Sequence, residues 1–102
     1  MKQDSVINLN PLVHAPIRLA ILSILVNVKS ATFSFLKESI RTTDGNLSTH
    51  LSKLEEAGYI RIDKSFQGKK PQTTCVITFI GRKAFLDYIN RLEEIVKSQK
   101  DI

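Results

Sequence analysis

The run from Thr43 to Ile60, TDGNLSTHLSKLEEAGYI, limits what this chain can become more than any other segment. Leu47, Leu51, Leu54 and Gly58 recur at steps of four, three and four, which is one stripe of a helix. The opposite side carries Gly45, Asn46, Ser48, Thr49, Ser52 and Lys53. Those side chains are short, hydrogen-bonding, and neutral or cationic. A solvated helix with no special task favours long Glu, Lys and Gln pairs, which support helix and solubility. Here Glu55 and Glu56 are kept for the last turn. Small polar groups on the N-terminal half let a helix sink into a major groove and reach base edges. Thr43 or Asp44 suits the N-cap, and Gly58 suits a left-handed C-terminal stop.

The remaining segments organise around this helix. Pro11 and Pro16 suit helix starts, so a short turn precedes a first helix over about residues 16–28. Ile17, Ala20, Ile21, Ile24 and Val28 form one apolar stripe; Leu19, Leu22 and Val26 form a second. A helix in a small monomer needs one apolar face, so the second stripe predicts contact with another chain or with the last helix. Ala31-Thr32 suits a very short strand, and residues 33–40 a helix with Phe33, Leu36 and Ile40 inward. Arg41-Thr42-Thr43 is the turn before the recognition-like helix, residues 44–57. A hairpin follows: one strand over about residues 59–65, a tip over 66–72, a return strand over 73–78. Cys75 and Ile77 alternate inward, with Phe79 continuing the alternation. Thr78 can cap a last helix to about residue 98, where Phe85, Ile89, Leu92 and Val96 keep a heptad-like spacing. Residues 1–10 are polar and read as a loosely held, flexible segment, so the domain is expected to span residues 11–102.

Charge sharpens the picture. The chain of 102 residues carries a net +5. Residues 61–83 hold Arg61, Lys64, Lys69, Lys70, Arg82 and Lys83 against Asp63 alone, so the excess sits around the hairpin. A basic hairpin is often just solvated, but beside this helix it fits a phosphate backbone. Arg82 and Lys83 stand at a helix start, where the dipole disfavours cations. A nearby phosphate would remove that conflict. The single cysteine excludes an intrachain disulfide and a cysteine-rich zinc site. No signal peptide or membrane span is legible, and a reducing cytoplasm is expected.

With the helix, the Glu-Glu-Ala-Gly-Tyr-Ile run, the strand, the basic turn and the second strand in place, the chain resembles a winged helix-turn-helix regulator of the MarR/ArsR-like group. It is most similar to the short single-domain members. The resemblance covers roughly residues 15–90 and is most specific from Thr43 to Ile60. It implies a mainly α fold with a small β-hairpin: about four helices, a two- to three-stranded wing, and a C-terminal helix for dimerisation. It also implies a prokaryotic, double-stranded-DNA-binding transcription regulator, more often a repressor than an activator. On this reading Asn46, Ser48, Thr49 and Ser52 face base edges. Lys53, Arg41, Lys64, Lys69 and Lys70 face phosphates, and Gln67 and Gln72 approach the minor groove. Leu19, Leu22, Val26, Phe85, Ile89, Leu92 and Val96 form the homodimer interface. A pseudo-palindromic operator follows from two-fold symmetry.

Competing chemistry finds little support. His14, His50 and Cys75 have no paired spacing, so no metal site or cofactor is expected. His50, at the margin of the leucine stripe, reads as structural or phosphate-contacting. Cys75 reads as core; a redox role would need exposure and a cationic neighbour. There is no phosphate-binding glycine loop and no nucleophile elbow, so enzymatic activity is not expected. The alternative is a winged-helix protein-interaction module in a larger assembly, without DNA binding. The residues name no small-molecule effector.

Overall fold

A computed structural model describes residues 8–100, with side chains through Ser98. Four helices stand among the described residues: α1 (Pro16–Leu25), α2 (Phe33–Ile40), α3 (Asp44–Glu56) and α4 (Phe79–Lys100). Strands β1 (Ala31–Thr32), β2 (Ile60–Gln67) and β3 (Lys70–Ile77) form one antiparallel sheet in the order β1-β3-β2. The expected architecture, mainly α with a small β wing, is the one observed.

Each element starts and stops for a local reason. Pro16 occupies the first turn of α1, where its missing N–H costs nothing. Thr32 Oγ1 accepts from Phe35 N at 3.0 Å and Thr43 Oγ1 from Asn46 N at 3.1 Å, so α2 and α3 both begin on a threonine cap. Of the two caps expected for α3, Thr43 is the one used. Asp44 instead pairs with Lys37 of α2 at 2.8 Å. At the other end of α3, Gly58 has φ 79°. Gly58 N reaches Glu55 O at 2.9 Å and Tyr59 N reaches Leu54 O at 2.9 Å, the two bonds of a Schellman stop. Thr78 Oγ1 accepts from Gly81 N at 3.0 Å to start α4, and donates to Gly58 O at 2.6 Å.

The core lies where the helices meet the inner face of the sheet. Ile21, Leu22 and Leu25 of α1, Leu36 of α2, Leu47 and Leu54 of α3 and Cys75 of β3 are all 0 % exposed. Burying a side chain of this size contributes about 1.5–3 kcal/mol, so the leucine stripe is what seats α3. Tyr59 and α4 meet more closely than side chains would allow. A Cβ on Gly81 would overlap the Tyr59 carbonyl and stand 2.9 Å from its Cα.

Several expectations need correction. Helix α1 ends at Leu25, and residues 26–28 continue as turns in which Asn27 N and Val28 N bond three residues back. The hairpin is longer than its polar tip suggested. Strands of eight residues pair from Ile60↔Ile77 to Gln67↔Lys70, leaving only Gly68-Lys69 as the loop. Gly68 has φ 65° and Lys69 does not share it, the pattern of a type II′ hairpin turn. Pro71 is tolerated because alternate pairs exchange hydrogen bonds and the Phe66↔Pro71 pair falls between them; β1 ends at Thr32↔Thr74 and leaves its outer side free. Phe79 does not continue the inward alternation; it opens α4 and is 82 % exposed. Most of the segment 1–10 lies outside the described residues, but Leu9 packs on the core. Asn10 is also held: its Oδ1 accepts from Leu12 N at 2.9 Å and its Nδ2 donates to Tyr59 Oη at 2.9 Å. Leu22, expected on an intersubunit face, is fully buried in its own chain, and Phe85 nearly so.

Candidate nucleic-acid interface

Helix α3 buries Leu47, Leu51 and Leu54 and leaves Asn46, Ser48, Thr49, Ser52 and Lys53 exposed. Among the described residues these five side chains have no hydrogen-bond or ion-pair partner. Their positions divide them. Asn46, Thr49 and Lys53 follow the i, i+3, i+7 line of one face, with Gly45 and Ser52 beside it. Ser48 falls on the far flank, in line with Glu55. A Cβ on Gly45 would meet nothing within 4 Å, so the fold does not require glycine there.

The turn before α3 is built on Arg41, at φ 62° and ψ 54°, the only described non-glycine residue with positive φ. Its N–H closes α2 on Lys37 O at 2.9 Å. Left-handed geometry costs a side-chain-bearing residue about 1–2 kcal/mol. The Arg41 side chain is exposed beside the start of α3.

The wing is less cationic than the count over 61–83 implied. Arg61 is forked onto Asp63, with Nε–Oδ1 3.1 Å and Nη2–Oδ2 3.2 Å. Arg82 Nη1 donates to Val26 O at 3.2 Å, and Lys83 pairs with Asp87 at 3.5 Å. The cations at the start of α4 are thus met within the chain, and no phosphate is needed to explain them. Lys64, Lys69 and Lys70 remain exposed along the hairpin, with Gln67 exposed and Gln72 half-buried. Phe66, opposite Pro71, is 74 % exposed at the same tip.

His50, read from the sequence as structural or phosphate-contacting, has a partner within the chain that sequence spacing did not reveal. Its Nδ1 lies 2.9 Å from Arg18 Nη1 on α1. Burial first, then Arg18 and Lys53, hold its pKa below the ordinary imidazole range. Cys75 is buried, and its thiol is pushed up to about 11 by burial, then by Glu55 and Asp63. That is the reverse of the cationic, open setting a reactive thiol needs. Among the described residues no three His, Cys, Asp or Glu side chains come together, and no helix is long and apolar enough to cross a membrane.

Comparison with known proteins agrees with this geometry. Residues 17–96 match the family described as winged helix DNA-binding domain. An uncharacterised protein of Methanocaldococcus jannaschii is 38 % identical over 85 residues, covering 83 % of this chain and 92 % of that protein. The structure of a transcriptional regulator homologue from Pyrococcus horikoshii OT3 superposes with a TM-score of 0.87 at 25 % identity, covering 97 % of this chain and 98 % of the other. An ArsR-family transcriptional regulator shares the fold, with a TM-score of 0.61 at 22 % identity over 95 % of this chain and 98 % of its own. The chain belongs to the winged helix DNA-binding domain family.

Proposed function

We propose that the protein is a homodimeric repressor of a prokaryotic cytoplasm, reading a pseudo-palindromic operator. The observation that carries this reading is the outer face of α3. It presents Asn46, Thr49, Ser52 and Lys53, all exposed and none hydrogen-bonded or ion-paired through its side chain among the described residues. Asn46 and Thr49 read base edges from the N-terminal half of α3, with Ser52 beside them and Ser48 at the margin. Lys53, Arg41, Lys64, Lys69 and Lys70 hold phosphates, and Gln67 and Gln72 approach the minor groove. Two copies, joined along α4 and the exposed part of α1, set their recognition helices about 34 Å apart, one turn of DNA. The relatives from Methanocaldococcus and Pyrococcus support the prokaryotic setting.

The test is selection from a random DNA pool by the purified protein, followed by footprinting and competition. Two inverted half-sites about ten base pairs apart are expected. Asn46→Ala and Thr49→Ala should each lose about 1–3 kcal/mol on the selected site and little on scrambled DNA. Equal losses on both would move these residues to the phosphate backbone, and no enriched sequence would sink the reading.

A further inference from the structure

Arg18 joins three parts of the molecule. It stands half-buried on α1. Its Nε donates to the Leu12 carbonyl at 2.6 Å, in the turn that precedes α1. Its Nη1 lies 2.9 Å from Nδ1 of His50 on α3. A guanidinium has donors only and stays protonated. His50 Nδ1 is therefore the acceptor, and the imidazole proton sits on Nε2. The cleft beside the pair is lined by Pro11 and Leu12 of the turn, Arg18 of α1, and Lys53, Glu56 and Ala57 of α3. The charged groups there are Arg18, Lys53 and Glu56; the turn contributes none.

We propose that Arg18 is a positioning residue for DNA reading: its contact with neutral His50 ties α3 to α1 and to the turn at Leu12, and protonation of His50 releases that tie. This rests on the reading of α3 as the operator-reading helix. A protonated His50 carries an N–H at Nδ1, so two donors and two cations would face each other across 2.9 Å. The contact must open. The leucine stripe still seats α3, but its pitch on α1 is no longer set. Base reading needs that placement, whereas attraction to phosphates does not. Acid should therefore lower preference for the operator while the added charge strengthens binding to any DNA. Fold stability follows the same sign. The folded His50 pKa is lowered, so the unfolded chain takes up the proton first. Stability is full above the ordinary imidazole range and is lost as pH falls through it.

The experiment has two arms. In the first, imidazole nitrogen NMR of the DNA-free protein should show the Nε2–H tautomer for His50, and Arg18→Met should raise its pKa. In the second, operator and scrambled DNA compete from about pH 8 down to about pH 5. The wild-type preference should fall about five- to tenfold, the scale of one disturbed base contact. His50→Gln, whose carbonyl oxygen can still accept from Arg18, should keep the high-pH preference and lose the pH dependence. Arg18→Met should show the reduced preference at every pH. If it fails to fold, Arg18→Lys, which keeps the charge without the fork, is read the same way. A flat wild-type profile, an Nδ1–H tautomer, or wild-type preference in the Arg18 variant overturns the proposal. A protein that enriches no operator removes the proposal together with the reading beneath it, and the NMR arm then still reports whether the contact forms.

Discussion

Two glycines, one behind the recognition helix and one at its start, matter for opposite reasons. Gly81 is buried at the start of α4, where any side chain would collide with the backbone of Tyr59. Backbone cannot swing aside as a side-chain tip can. Gly81→Ala should therefore lose about 1–3 kcal/mol, the scale of overpacking, by pushing α4 off the α3–β2 junction. Chemical denaturation checks it; an unchanged midpoint would mean that α4 and Tyr59 can part without cost. Gly45 is the reverse case. It sits in the first turn of α3 with open space around its missing Cβ. Gly45→Ala should stabilise the free protein by up to about 1 kcal/mol through helix propensity. The same methyl should weaken operator binding if the backbone there approaches DNA closely. A variant that is more stable and binds normally would show that glycine at this position serves no contact.

The wing was the element least legible in the sequence. Gly68 to Gln72 reads as loop because glycine, lysines, proline and glutamine all favour solvent, yet a strand of eight residues needs only main-chain pairing and one suitable turn residue. The charge count over 61–83 misled in a related way. Sequence gives position but not partner, and Asp63, Val26 O and Asp87 take up Arg61, Arg82 and Lys83. The exposed cations left without a partner on the described hairpin are Lys64, Lys69 and Lys70. Lys69→Ala combined with Lys70→Ala should weaken binding to all sequences alike. It should also reduce the slope of log affinity against log salt by about 0.9 for each phosphate no longer neutralised. A slope equal to the wild type's would mean that the hairpin points away from the duplex. By contrast, α3 was legible almost to the residue. Its leucine stripe, threonine cap and glycine stop are local signals, each within one or two turns. Arg18 escaped because its partner is 32 residues away, and no periodicity connects two polar residues on different helices.

At the scale of the whole molecule, the question is what covers the second half of α4. The chain extends 58 Å along its longest axis against 25 and 22 Å across. Ile89, Leu92 and Ile95 are only half-buried, and Val96 is 51 % exposed. Phe85 and Tyr88, earlier on the same helix, are core. The apolar stripe thus runs off the end of its own core, and a second copy lying along it would continue the burial. Leu19 of α1 and Val26 just beyond its end are partly exposed and can join such a contact, whereas Leu22 cannot. Leu22→Glu would therefore unfold the chain and say nothing about assembly. Val96→Glu is the informative change, with Leu92→Glu as its companion. Val96 is open enough in the single chain for a carboxylate to stay solvated, but across a dimer seam it would be buried and unpaired at a cost of several kcal/mol. Val96→Glu should sediment as a folded monomer and lose most operator affinity, because the second half-site reader is no longer tethered to the first. Its affinity for a single half-site should be unchanged, since α3 is seated by leucines within one chain. A wild type that is already monomeric at tens of micromolar, or a Val96→Glu dimer that binds the operator normally, would exclude α4 as the interface.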